Sequence, residues 1–385
     1  MECEIILQIF SGGFLGETVS YETVEKKLLS VLPALPVKKV IMGWAPGKAL
    51  YEKTAEFLAQ RNIDFYLWLP VFSETGAIRE LAPLIDMHGR PFQTVKSLAA
   101  EDFSFYCPNN PRNIDKILDI FEQEFAAVPF SGVFLDKIRY PSFAQESVFS
   151  CFCPHCLKEY EAAHFSPPAL ENALSRPMET PLGIKSYLGN GNYVYEDNDI
   201  SKYFSLKAGI ILKSMQRICA FFRERGLKIG FDVFAPFLSA FVGQDLTGFS
   251  NLCDFMKPMM YRVTNGPAGL PFEMEAFLSG TNSAEAAKRQ AFNEILGLDQ
   301  GKKDFDLDFT LNELRRLASS CACPVYAGVE INRKENIADV KPEYIEETLP
   351  AYARTGIRGL VLSWDLISMP EENLKKVKEI MEKLN

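Results

Sequence analysis

The chain has 385 residues, with 41 Lys and Arg against 50 Asp and Glu, a formal net charge of −9. Nucleic acid and anionic membrane surfaces are excluded as expected partners, because clustered cations hold a phosphate backbone, and here the basic residues are scattered and outnumbered. Apolar residues at 47% and charged residues at 24% suit a globular chain with a large core and exclude disordered or fibrous classes.

No apolar run is long enough to cross a bilayer, and the start, Met1-Glu-Cys-Glu-Ile-Ile-Leu, lacks the basic stretch of a signal peptide. The expectation is a cytoplasmic protein, although a secreted form whose leader has been removed fits the same sequence. Nine Cys is an odd number, and only those near Cys151 cluster. That pattern suits reduced thiols or a metal site better than a disulfide framework.

In chain order, short β-branched or aromatic runs predict strands at Glu4–Phe10, Lys39–Trp44, Asp64–Phe72, Gly132–Ile138, Lys228–Phe234, Phe255–Tyr261, Pro324–Ile331 and Gly359–Trp364. Between them, apolar residues at helical spacing predict helices such as Val24–Leu32, Ala49–Gln60, Asn113–Ala127, Tyr203–Arg225, Leu311–Ser319, Glu343–Thr355 and Glu371–Leu384. Eight alternating units point to an α/β fold of the (β/α)₈ TIM-barrel type. An open doubly wound sheet is the competing topology, but no Gly-x-Gly-x-x-Gly or Walker-type loop supports it. One domain is expected over residues 1–385, with an irregular insertion at about 140–201. Long loops are expected after strands 3, 4 and 6 (Ser73–Pro111, Tyr140–Ser201 and Arg262 to roughly Phe309), at the rim where barrels build their sites.

The sharpest segment is Ser131-Gly-Val-Phe-Leu-Asp136-Lys-Ile-Arg139-Tyr140-Pro141. An apolar strand places a carboxylate near its C-terminal end, with an Arg, a Tyr and a strand-breaking Pro just beyond. Asp136 is read as a site residue, against the plainer possibility that it caps the next element or pairs with Arg139.

This Asp-x-Ile-Arg-Tyr-Pro strand end follows Cys107-Pro-Asn-Asn-Pro111 and precedes Cys151-Phe-Cys-Pro-His-Cys156. Later come Asp232-Val-Phe-Ala-Pro236, Val242-Gly-Gln-Asp245, Asp254-Phe-Met-Lys-Pro-Met-Met-Tyr261 and Gly328-Val-Glu330. In this order the chain resembles a poorly characterised, mostly bacterial family of glycosyl hydrolase-like TIM-barrel proteins. The likeness runs from about the third strand to the eighth. It implies a barrel and a carbohydrate substrate, an oligo- or polysaccharide, and leaves the sugar open.

Glycoside hydrolysis generally needs two carboxyl groups flanking the scissile bond. Strand-end candidates are Asp136, Asp232, Glu330 and Asp365. By the precedent of barrel glycosidases, Asp136 is expected as nucleophile and Glu330 as acid/base, with Asp232 as the substitute, and retention of configuration follows if the two carboxyls lie close. Arg139 is expected to keep Asp136 ionised. Each acid also has a scaffold reading: Glu330 bonded to Asn332 or Arg333, Asp232 to Lys228, Asp365 as a helix cap. Asp254 precedes its strand and is assigned to the stability face.

All three Trp, namely Trp44, Trp68 and Trp364, fall at or near strand ends, where indole faces suit the CH faces of a pyranose. Tyr140 and Tyr261 are expected beside them as hydroxyl partners. No cofactor is expected for catalysis. Cys151, Cys153 and Cys156 offer three thiolates for a structural zinc, with Cys107 or His164 as the fourth ligand, against reduced cysteines that merely pack the loop. A carbohydrate-binding barrel without turnover is the rival reading on the same fold.

Overall fold

The computed structural model describes residues 3–14, 16–74, 77–92, 104–145, 148–283, 285–298 and 305–384; parts of the three expected long loops lie outside these ranges. The eight expected strands form as β1 (Glu4–Phe10), β2 (Val37–Gly43), β3 (Asp64–Pro70), β4 (Gly132–Asp136), β5 (Lys228–Val233), β6 (Phe255–Pro258), β7 (Tyr326–Glu330) and β8 (Gly359–Ser363). All pair in parallel, in the order β6-β5-β4-β3-β2-β1-β8-β7. Bridges from Met256 to Val325 and from Met259 to Gly328 join β6 to β7 and close the ring. The fold is therefore a (β/α)₈ barrel, and the open-sheet alternative falls because β6 and β7, the two ends of that order, are bridged to each other.

All strands but β1 end one to three residues sooner than expected, and for two of them the reason is local. β4 stops at Asp136 because Lys137 takes a φ of 52°, outside extended backbone. β6 stops at Pro258, which has no N–H to donate.

Strand alternation sorts the side chains into two populations. Ile6, Ile41, Tyr66, Phe134, Phe255, Tyr326 and Val361 pack together inside the barrel. Their strand neighbours, such as Ile5, Leu7, Val40, Leu67 and Leu135, belong to the larger core under the helices. The interior layer is tight. Phe134 stacks on Phe255 with centroids 5.8 Å apart, and a Cβ added at Gly230 would lie 2.3 Å from the Phe255 ring, so only glycine fits there. At the N-terminal mouth, Glu4 accepts from Tyr326 at 2.6 Å and pairs with Arg358 and Lys39. Asp254 lies at this end as expected and accepts from the Ile229 N–H at 2.7 Å.

Among the outer helices, α1 (Tyr21–Val31), α2 (Lys48–Ala59), α3 (Pro111–Ile120), α4 (Asn198–Arg223), α5 (Leu246–Ser250), α6 (Leu307–Ser320), α7 (Pro342–Ala353) and α8 (Glu371–Leu384) follow the eight strands in turn. The sequence reading had no α5; its start is marked by Asp245, whose side chain caps the Gly248 N–H. The long segment after β4 carries helices at Pro154–Ala162 and Pro167–Leu174 and a hairpin from Ile184–Gly189 to Asn192–Tyr195. Phe165, Leu170 and Ile184 of this segment join the same buried cluster as the barrel wall. Among the described residues no helix is long and apolar enough to cross a membrane.

Candidate active site

One turn of register carries three charged residues to the same level at the C-terminal opening. Leu135 pairs with Phe231, so the next residues up, Asp136 on β4 and Asp232 on β5, are neighbours, and Lys257 on β6 pairs with Asp232. Each follows an interior residue by two positions: Asp136 after Phe134, Asp232 after Gly230 and Lys257 after Phe255. The strand period that fills the barrel with aromatics thus turns these side chains inward just above them.

Asp136 is 8% exposed. Its Oδ2 accepts the Trp68 Nε1–H at 3.0 Å, and its Oδ1 accepts the N–H of Lys137. Asp232 is buried and paired with Lys257, Nζ to Oδ2 at 2.9 Å, while Nζ also reaches the Gln8 Oε1 at 3.2 Å. Burial pushes the Asp232 carboxyl up to about 7; the Lys257 ammonium pulls the other way, and the negative charge of Asp136 adds to the rise. The two neighbouring carboxyls therefore sit in different environments, one held by two N–H donors and one desolvated.

Arg139 does not hold Asp136 directly. The guanidinium is buried between the rings of Phe105 and Phe234, 4.8 and 4.4 Å from their centroids, and donates to the Tyr140 carbonyl at 2.9 Å. Burial lowers it to about 10, partly offset by the charges of Glu273 and Asp136. The expected ion pair is replaced by an indole N–H, because the backbone turns at Lys137 and carries Arg139 into the wall.

Trp44 and Trp68 meet edge to face at 5.1 Å, and Phe10 stands against Trp44 at 5.2 Å, so an aromatic wall rises on the β1–β3 side of the two acids. The Lys137 ammonium lies 5.2 Å over the Trp44 ring. Trp364 is half-buried on the same rim, with Lys334 at 5.4 Å over its ring. Tyr261 is buried, with Lys257 5.3 Å from its ring.

Besides Arg139, three expected site residues are engaged in other bonds or buried. Glu330 is fully buried, its carboxylate wrapped by the N–H groups of Arg262, Val263 and Thr264 and by the Tyr344 hydroxyl at 2.7 Å. It braces the loop after β6 against α7, with no oxygen left for a substrate. Asp365 accepts the Phe10 and Ile367 N–H groups on one oxygen, 3.1 Å each, and so ties β8 to β1. Tyr140 is fully buried in the wall, where the Lys207 ammonium lies 4.7 Å over its ring and its hydroxyl has no partner among the described residues. The sequence reading missed Lys257 and Gln8. A lone polar residue inside Phe-Met-Lys-Pro-Met-Met or Ile-Ile-Leu-Gln-Ile-Phe was the available signal, since a polar group in a buried strand needs a partner.

In the loops after β3 and β4, the Sγ atoms of Cys107, Cys151, Cys153 and Cys156 all lie within 4.8 Å of one another, and all four residues are buried. His155 and His164 are exposed.

No family model matches the chain, and no curated protein matches it. Solved structures do match. The PgaB (BpsB) glycoside hydrolase domain from Bordetella bronchiseptica aligns over 99% of this chain and 99% of its own, at 11% identity and a TM-score of 0.59. Alpha-L-fucosidase isoenzyme 2 from Paenibacillus thiaminolyticus aligns over 100% of this chain and 49% of its own, at 11% identity and a TM-score of 0.56. At such identity the likeness is one of fold, a barrel of the kind on which those hydrolases are built.

Proposed function

We propose that the protein is a glycoside hydrolase acting on an oligo- or polysaccharide, with Asp136 as nucleophile and Asp232 as acid/base. The observation that carries this reading is the adjacency of the two acids on β4 and β5 at the barrel opening, with burial raising the Asp232 carboxyl to about 7 so that it keeps a proton near neutrality. Protonated Asp232 gives its proton to the leaving glycosidic oxygen while ionised Asp136 attacks the anomeric carbon. Water then cleaves the glycosyl ester, with Asp232 taking the proton back. Net retention follows, and it requires carboxyls about 5 Å apart. Trp68 keeps one oxygen of Asp136 oriented, and the Trp44 and Trp68 rings supply an apolar wall for the sugar.

Glu330, expected from sequence as the acid/base, is replaced in that role by Asp232, because four donors already occupy its oxygens. The reading draws further support from the glycosyl hydrolase-like sequence pattern and from the glycoside hydrolase titles of proteins with this fold. A second reading, a carbohydrate-binding barrel without turnover, is favoured by the Asp232–Lys257 pair, whose side chains are only 2% and 1% exposed. Chromogenic glycosides and polysaccharides assayed with the wild type, Asp136→Asn and Asp232→Asn decide between them. Hydrolysis by the wild type and its loss in both variants supports the enzyme. Saturable binding with no release of sugar supports the second reading, and hydrolysis that survives in both variants removes the assignment.

A further inference from the structure

We propose that Cys107, Cys151, Cys153 and Cys156 bind one zinc ion as a closed tetrahedral thiolate site that ties the loop after β3 to the loop after β4. Cys107 comes from the approach to α3, and the other three from a segment more than forty residues later, yet the Cys107 Sγ lies 3.5 Å from the Sγ of both Cys153 and Cys156. A tetrahedron with metal–sulfur bonds of about 2.3 Å has edges of about 3.8 Å. The whole set falls within 4.8 Å, close to that size.

Burial as ordinary small hydrophobes does not require four sulfurs from distant segments to converge on one point. The spacing Cys153-x-x-Cys156 at the start of the helix Pro154–Ala162 supplies the chelating turn, and Cys151 and Cys107 close the other two corners. Four soft thiolates and no oxygen donor select zinc over calcium, magnesium or manganese. With no corner left for water, the site is structural.

The surroundings hold the four cysteines in place. The Ile85 N–H points at the Cys151 Sγ, 3.3 Å away, which anchors a third stretch of chain to the cluster. Buried side chains of α4 hold the backbone just ahead of the cysteine segment. Lys207 of α4 donates to the Val148 carbonyl at 2.6 Å and to the Phe241 carbonyl at 3.3 Å, and it pairs with no carboxylate among the described residues. The neighbouring Tyr203 donates to the Ser150 carbonyl at 2.8 Å, immediately before Cys151.

The test uses the full chain purified under reducing conditions without chelator. Elemental analysis is expected to give one zinc per chain, released by a thiol-modifying reagent and captured by a chromogenic chelator. Cobalt(II) added to the metal-free protein is expected to give thiolate-to-metal charge transfer and the visible bands of tetrahedral coordination. Cys153→Ser should lose tight zinc binding, and if it fails to fold, the wild-type release and cobalt spectra still decide. Limited proteolysis after zinc removal should cut the loops after β3 and β4 before the barrel. Iron in place of zinc, a disulfide among the four cysteines, or four reduced thiols that leave added zinc and cobalt unbound would overturn the proposal. None of these readouts depends on glycosidase activity.

Discussion

Trp68 donates its indole N–H to the Oδ2 of Asp136 across the β3–β4 boundary, 3.0 Å from nitrogen to oxygen. Trp68 and Phe134 are register partners, so the indole stands one step below the carboxylate and reaches up to it. Trp68→Phe keeps most of the ring and removes the donor. A hydrogen bond to a charged group is worth about 1.5–3 kcal/mol, so kcat should fall roughly ten- to a hundred-fold. Steady-state kinetics on the best substrate of the panel measures this, and an unchanged kcat would mean that the bond does not orient a reacting group.

The Asp232 carboxyl is raised to about 7 by burial against the pull of Lys257, and in the proposed reaction it is expected to set the basic limb of the pH profile. An acid that must be protonated to act is lost as pH rises through its pKa, so kcat/KM should decline above about pH 7. Lys257→Met removes the cation that lowers this pKa, and the limb should move to higher pH. A limb that stays in place or moves to lower pH would sever Asp232 from the proton transfer.

Glu330 is a brace. Glu330→Gln turns one of its acceptor oxygens into a donor facing N–H groups that are already buried. The expected cost is about 2–4 kcal/mol of stability by chemical denaturation, with the activity of the folded fraction largely retained. If stability held and activity fell by orders of magnitude, Glu330 would regain the acid/base role that its sequence position suggests.

Tyr140 carries a buried hydroxyl without a partner among the described residues. Removing an unsatisfied polar group is neutral or mildly favourable, so Tyr140→Phe should change stability by no more than about 1 kcal/mol and leave KM unaltered. A several-fold rise in KM would return this residue to the substrate site.

The barrel was legible because its signal is local. Runs such as Ile-Ile-Leu-Gln-Ile-Phe and Gly-Val-Phe-Leu-Asp bury both faces of a parallel strand and read as strands without any knowledge of their partners. Asp136 was legible for the same reason, as a carboxylate near the end of an apolar strand. The role of Glu330 was not, because position on a strand does not say which donors surround a side chain. Its four partners come from the loop after β6 and from α7, and the three backbone donors lie 66 to 68 residues away. Arg139 and Tyr140 looked like rim residues from their spacing, but the positive φ of Lys137 rotates the chain into the wall.

By itself the sequence determined the alternation of strands and helices, the long rim loops, the acid at the end of β4 and the cysteine spacing. Each of these is a pattern within a few residues, fixed by side-chain period, proline and glycine. Only the tertiary structure decided which acid stands beside Asp136, which one is locked as a brace, and that Cys107 rather than His164 joins the other three cysteines. Those outcomes depend on register between neighbouring strands and on contacts between distant segments, which barrel closure sets and no local pattern encodes.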